Sequence, residues 1–247
     1  LHFEPNVGQF GTSNLFVARS GARRIEFNGD EVRVLGRTGS TQASAVRSRF
    51  TGAASVAPQG EVKLGGVSNY LLGNDPSRWV KHVAHFERLR YHAIYPGIDA
   101  VYYGAGDALE YDFEVDAGAD PSRIAIEFPG AEKVWLDSEG AAHILSGGTE
   151  TKMRAPVSYQ RDGARRRAVY SRYTLDSASS QIHIALGSYD RDKPLTIDPI
   201  LDFSTYLGGT SQDFATTVAL DSSGNIYLAG NTKSLDFPID DAMRGSA

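Results

Sequence analysis

The sequence of 247 residues contains no cysteine, two tryptophans, two methionines and no long apolar run. Without cysteine the chain forms no disulfide, performs no thiol chemistry and offers no thiolate to a metal ion. No apolar stretch approaches the roughly 20 residues of a membrane-spanning helix, so we expect no membrane span. The lack of cysteine does not fix the cellular compartment.

The short motifs of several catalytic sites are also missing. The sequence has no G-x-S-x-G nucleophile turn, no G-x-x-x-x-G-K-[ST] phosphate loop and no H-E-x-x-H zinc motif. With no cysteine nucleophile either, none of these motifs points to a reaction centre. We therefore expect no enzyme activity, no catalytic residue and no cofactor.

The charge balance excludes another class of function. The formal net charge is -5, whereas a nucleic-acid surface needs a basic stripe. The 41% hydrophobic content is enough to bury a core. The 26 glycines, 12 tyrosines and 11 phenylalanines favour strands and turns over helices.

The clearest structural pattern lies in the stretch from Tyr91 to Val115. Apolar and acidic residues alternate over 109–115, which predicts a strand with one apolar and one acidic face. A second strand over 98–103 precedes it, and the glycine-rich segment 104–107 suits a hairpin turn. We interpret this hairpin as the middle of a sheet.

Short predicted strands at about ten-residue spacing continue through the chain. They predict an all-β fold of sandwich-like antiparallel sheets, as one large or two smaller units, followed by a partial β-propeller blade. The domains expected are an N-terminal β unit over 1–105, a second sandwich unit over 106–200 and a single repeat over 201–247. One short helix is expected near 75–84, where Asp75 caps and Pro76 takes the first helical position.

The C-terminal segment carries the motif of a known repeat. It contains Tyr206-Leu207-Gly208-Gly209, Asp213, Ala215, Asp221-x-x-Gly224-Asn225, Tyr227, Gly230, Thr232 and Asp236-Phe237-Pro238. These positions resemble one copy of the bacterial seven-bladed beta-propeller repeat. One blade cannot bury its faces alone, so we expect either a truncated array or a blade completed by something else.

Residues 1–200 resemble the domain of unknown function that often precedes these repeats. The residues that carry the resemblance are Phe3-Glu4-x-Asn6-x-Gly8-Gln9, Asn69-Tyr70-x-x-Gly73-x-Asp75-Pro76-x-x-Trp79, Tyr95-Pro96-Gly97-Ile98-Asp99, Leu109-Glu110-Tyr111-Asp112-Phe113 and Ile197-Asp198-Pro199. The resemblance implies a large exported or cell-surface bacterial protein. It implies no established activity.

The sharpest candidate site is the acidic strand face of Glu110, Asp112 and Glu114, with Asp99 across the hairpin. Residues two apart on a strand lie about 7 Å apart, a spacing that suits a calcium ion or the acid and base of a glycosidase. The ordinary alternative is a solvated face, or ion pairs with an arginine-bearing strand over 165–172.

Aromatic residues near this strand offer a second candidate feature. The candidates for a sugar-stacking platform are Trp79, Tyr102, Tyr103, Tyr111 and Trp135, and packing in the core or across strands is the alternative for all five. His82 and His85 lie three apart and could share a metal ion on a helical turn, but the third ligand is not at a recognised spacing. For these two and His92 we therefore expect surface or hydrogen-bonded roles and assign no metal ligand.

These observations lead to three hypotheses on function. The first is a non-catalytic surface or secreted module that serves as scaffold, adhesion or recognition head, with cell-surface proteins or glycans as partners. The second is a carbohydrate-binding domain, dependent on calcium or not, and the third a glycoside hydrolase. An unpaired blade also leaves open strand edges, so residues 201–241 are expected to pair with the body or another chain.

Overall fold

The computed structural model describes residues 1–10, 14–20, 23–38, 42–105, 108–163, 165–199, 201–203, 211–220, 226–235 and 237. Within these ranges the secondary structure consists of strands and two 3-10 turns, with no α-helix. The all-β expectation is therefore confirmed. The repeat-motif residues 206–209, 221–225, 236 and 238 lie outside the described residues.

Twelve strands and one 3-10 turn make up the first part of the chain. They are β1 (Phe3–Pro5), β2 (Phe16–Ser20), β3 (Arg23–Phe27), β4 (Glu31–Thr38), β5 (Gln42–Phe50), β6 (Gln59–Tyr70), the turn Pro76–Arg78, β7 (Val80–Tyr95), β8 (Ile98–Ala105), β9 (Ala108–Val115), β10 (Ala125–Glu127), β11 (Lys133–Leu136) and β12 (Ala142–Ser146).

The remaining strands follow at similar spacing. They are β13 (Thr149–Met153), β14 (Val157–Asp162), β15 (Arg165–Val169), β16 (Ser171–Asp176), β17 (Gln181–Leu186), β18 (Leu195–Asp198), β19 (Leu201–Phe203), β20 (Asp213–Leu220) and β21 (Ile226–Thr232). A second 3-10 turn, Pro121–Arg123, precedes β10.

Most strands belong to one antiparallel sheet of 15 strands. Its order is β15-β14-β18-β9-β8-β7-β1-β2-β3-β4-β5-β10-β17-β16, with β6 on β7. The predicted hairpin lies within it as β8 and β9, which pair from Ile98 with Val115 to Ala105 with Ala108. The turn residues Gly106 and Asp107 are outside the described ranges.

The sheet curls so that its two halves face each other across the core. Phe27 of β3 and Tyr102 of β8 have ring centroids 5.3 Å apart, although three strands separate β3 from β8 in the sheet. Phe50 of β5 lies 5.1 Å from Phe113 of β9 in the same way. Such contacts make the body sandwich-like, with each large side chain contributing about 1.5–3 kcal/mol by its burial.

Two smaller sheets complete the described structure. The strands β11, β12, β13 and β19 form a four-stranded sheet, and β20 and β21 form a separate two-stranded sheet. The four-stranded sheet contributes Ala142, Ile144 and Met153 to the core. Tyr111 donates a hydrogen bond to the Met153 sulfur at 3.6 Å, which links β9 to this sheet.

The helix expected over 75–84 is much shorter. Asp75 does cap a turn, but the 3-10 turn ends at Arg78 and β7 begins at Val80. The division at 105/106 falls in the turn between β8 and β9, which are neighbours in one sheet. That division stays a prediction.

Candidate functional site

The candidate site is the acidic face, which we define as Glu110, Asp112 and Glu114 of β9, Asp99 of β8 and Asp198 of β18. Alternation on β9 places the acids opposite a buried face, which consists of Leu109, Tyr111, Phe113 and Val115. Asp99 pairs directly with Glu114. Asp198 lies across from Asp112, because the preceding Ile197 pairs with Phe113.

Arg90 of β7 neutralises one end of the acidic face. Its Nη1 lies 3.0 Å from Asp99 Oδ2 and 2.6 Å from Glu114 Oε2, and its Nε lies 2.6 Å from Glu61 Oε1. The guanidinium side chain is 13% exposed. Burial alone would lower the pKa of Arg90, but the three carboxylates raise it above its ordinary value.

At this end of the face the neutralising arginine comes from β7, whereas Arg166 of the expected segment 165–172 acts on Asp198 at the other end. The strands β14 and β18 lie between β15 and β9, so the arginines of β15 are not on a neighbouring strand. Burial raises the pKa of Asp99, but the Ala93 amide and Arg90 outweigh it and hold that pKa below the usual value.

The other end of the acidic face holds two carboxyl groups with raised pKa values. Tyr103 donates a hydrogen bond to Asp112 Oδ1 at 2.9 Å. Burial, followed by the charges of Asp112 and Glu110, raises the pKa of Asp198 to about 6. Burial also raises the pKa of Asp112, and the bond from Tyr103 only partly offsets it.

Asp198 is unusual in having a buried acceptor without a donor. Its Oδ1 atom makes no hydrogen bond within the described part of the chain. A buried carboxylate oxygen without a donor favours binding of a proton or a cation. Asp112 and Asp198 are therefore the two carboxyl groups of the acidic face that are best suited to bind a proton or a cation.

The predicted aromatic residues lie in different surroundings. Tyr102 is 3% exposed and stacks on Tyr111 in the core, with centroids 5.1 Å apart. Trp79 is partly exposed, with Lys81 Nζ 4.9 Å from its ring, and it precedes Arg88 by nine residues, about 30 Å along a strand. Tyr103 contacts the acidic face through its hydrogen bond to Asp112.

The three histidines His82, His85 and His92 likewise have different surroundings. His82 is exposed, and His92 Nδ1 lies 3.1 Å from Asp99 Oδ2. His85 instead meets Glu4 of β1 and His2, which lies just before that strand. Nothing in the local sequence indicates this meeting, because it depends on the pairing of β1 with β7.

Two small cavities lie on the inner side of the sheet. Each has a volume of about 20 Å³, room for about one water molecule, and Tyr102 lines both. None of the five acids of the acidic face lines either cavity.

In the described ranges, no helix has the length and apolar character to cross a bilayer.

Comparison with known families divides the chain into two parts. The family model described as a domain of unknown function, DUF7948, matches residues 3–200. The family model described as a beta-propeller repeat matches residues 202–238. No curated protein and no solved structure matches the chain.

Proposed function

Because the chain belongs to the DUF7948 family of domains of unknown function and continues into a beta-propeller repeat, we propose that it is a non-catalytic module of an exported or cell-surface bacterial protein. In this proposal the body, residues 1–200, is a scaffold that holds the repeat. The outer surface of the body then serves adhesion or recognition of cell-surface proteins or glycans.

The pairing of β13 with β19 carries this proposal. The repeat match starts at residue 202, inside β19, and Asp202 pairs with Lys152 of β13. On either side, Thr151 pairs with Phe203 and Met153 with Leu201. Since a paired strand is held far more firmly than a flexible linker, the body fixes where the repeat begins.

The non-catalytic part of the proposal rests on the acidic face. Arg90 forms ion pairs with Asp99 and Glu114, so these two of the five acids are not free to act as a general acid or base. The two small cavities lie on the other side of the sheet. Each has a volume of about 20 Å³, far below the several hundred Å³ of a typical ligand site.

A proline at the pairing position tests the scaffold role. Asp202→Pro removes the backbone N–H and restricts the backbone of β19. Asp202→Ala keeps the N–H and adds no such restriction. We expect hydrogen exchange at Leu201 and Phe203 to accelerate in Asp202→Pro and to stay at the wild-type rate in Asp202→Ala. Equal exchange in all three chains would contradict a held repeat.

The surface location has its own test. Antibodies raised against the folded chain should label intact cells of the native host, and external protease should remove the label. Labelling that requires permeabilised cells contradicts this part of the proposal.

A calcium-dependent carbohydrate-binding domain is the second candidate. The unpartnered Asp198 Oδ1 beside Asp112 favours it, because calcium prefers carboxylate oxygens. Glycan-array binding should then disappear with EDTA and in Asp112→Asn, but not in the exposed control Asp192→Asn. Binding that survives EDTA and Asp112→Asn alike rules out a calcium-bound sugar at this face.

A further inference from the structure

Three side chains with metal-ligating atoms converge where β1 meets β7. Phe3 pairs with Phe86, so the next residue, Glu4, lies across from His85 on the same face of the sheet. His2, two residues before Glu4, projects to that face as well. The sheet therefore brings together residues from opposite ends of the 84-residue stretch from His2 to His85.

One carboxylate oxygen is the centre of this cluster. Glu4 Oε1 lies 3.0 Å from His2 Nε2 and 3.4 Å from His85 Nε2. All three candidate ligand atoms lie within 4.8 Å of one another. A tetrahedral zinc site with bonds of about 2.0–2.1 Å has ligand atoms about 3.3 Å apart, so the two distances from Glu4 Oε1 are close to those of a loaded site.

Neighbouring side chains already orient the carboxylate. Tyr70 donates a hydrogen bond to Glu4 Oε2, and Ser68 Oγ donates one to Oε1 at 2.7 Å. Ser68 also lies 2.7 Å from His85 Nε2, a contact that an ion bound to Nε2 replaces. A supporting hydrogen bond such as that from Tyr70 to the second carboxylate oxygen is what fixes metal-ligating carboxylates in known sites.

We propose that His2, Glu4 and His85 form a binding site for a divalent transition-metal ion, with Zn²⁺ as the cation that suits this ligand set. Two imidazoles and one carboxylate are a known zinc ligand set that leaves a coordination position open. The rings of His2 and His85 stack with centroids 3.8 Å apart, so the His2 ring must turn to aim Nε2 at the ion. Its side chain is 40% exposed, which gives it the freedom to turn and gives the ion a path from solvent.

Titration calorimetry of the EDTA-treated full chain with ZnCl₂ tests the site. We expect one ion per chain, and His85→Gln should weaken binding at least about 100-fold, since even outer-shell changes cost 10–100-fold. The matched control is His82→Gln, which removes an exposed imidazole three residues away on the same strand and should leave the affinity unchanged. Absence of one-to-one binding, or equal affinity in His85→Gln, overturns the proposal.

A second experiment uses the wild-type chain, so its result does not depend on whether a variant folds. During titration with Zn²⁺, the imidazole ¹⁵N resonances of His2 and His85 should shift together and saturate at one equivalent. Those of His143, which lies 2.9 Å from Asp137 and 2.6 Å from Glu150, should stay in place. Shifts confined to His143, or no shift at any histidine, contradict the assignment.

Discussion

Three carboxylates contact the guanidinium of Arg90, and this residue neutralises part of the negative charge of the acidic face. Glu61, Asp99 and Glu114 come from three different strands and share the same arginine. Such a hub is sensitive to removal of its centre, because each partly buried carboxylate then loses its counter-charge.

Arg90→Met should lower the free energy of unfolding by about 2–3 kcal/mol, below the cost of breaking fully buried pairs because the partners are partly exposed. The control is Arg88→Met, whose guanidinium lies 3.9 Å from Glu114 and should cost under about 1 kcal/mol. Urea unfolding at neutral pH measures both. Equal losses would mean that the hub contributes nothing beyond an exposed ion pair.

Asp198 makes stability depend on pH between about 4 and 6. Its pKa is about 6 in the folded state and 3.8 in a model peptide, so the folded chain binds the proton more tightly. Stability therefore falls as pH rises through this window and stays lower above it. Asp198→Asn should remove this loss, a relative gain of about 1 kcal/mol after allowing for solvent screening.

Urea unfolding of wild type and Asp198→Asn at pH 4 and pH 7 measures this effect. The gain of the variant over wild type should be larger at pH 7. The exposed control Asp192→Asn should show no such difference. A gain that is the same at both pH values would place the origin of the effect outside this carboxyl group.

Some of these residue contacts were predictable and others were not. The shared face of Glu110, Asp112 and Glu114 follows from the period of two, which the local sequence displays. Arg90 and Asp198 reach that face only through strand pairings of β7 and β18. The meeting of His2 with His85 has the same origin, so no spacing rule could have found it.

The strand β6 shows how one glycine fits an element to its neighbour. A Cβ atom at Gly60 would lie 2.5 Å from the Phe86 ring of β7, whereas one at Gly65 would meet nothing within 4 Å. The aromatic ring covers the glycine, a common arrangement between paired strands.

Gly60→Ala should therefore destabilise the protein by about 1–3 kcal/mol, the usual cost of overpacking. Gly65→Ala, on the same strand, should be neutral or slightly stabilising because it only restricts the unfolded chain. Thermal unfolding of the two variants checks this pair. A Gly60→Ala chain as stable as wild type would show that Phe86 moves aside at little cost.

The two Asp-Pro-Ser-Arg segments explain both a correct and an incorrect expectation. Asp75 and Asp120 each accept a hydrogen bond from the amide of the serine two residues later, and each starts a 3-10 turn. The capping signal was real, but it specifies only the first turn. After the first turn, pairing of β7 with β6 then favours strand over helix.

The body of the molecule is built around one core, although its strands come from the whole length of residues 1–200. Ring contacts join β3 to β8 and β5 to β9, and the four-stranded sheet packs onto the same cluster. The all-β class was predictable from alternation and turn spacing. The curl of one long sheet was not, because it depends on contacts between strands far apart in sequence.

Unfolding of the two halves should therefore coincide. Trp79 lies in the first half and Trp135 in the second, so Trp135→Phe and Trp79→Phe each leave one tryptophan to report on its own half. We expect the same urea midpoint by fluorescence in both variants, after correction for any change in overall stability by circular dichroism. Two separate midpoints would support a division at 105/106.

The attachment of the repeat to the body is the central claim, and cross-strand proton contacts in solution test it most directly. Nuclear Overhauser effects between the Hα atoms of β13 and β19 should follow the register of Lys152 with Asp202 and its neighbours. The account predicts these contacts alongside those of β12 with β13, from Ala142 with Met153 to Ser146 with Thr149. Contacts between β12 and β13 with none to β19 would contradict it.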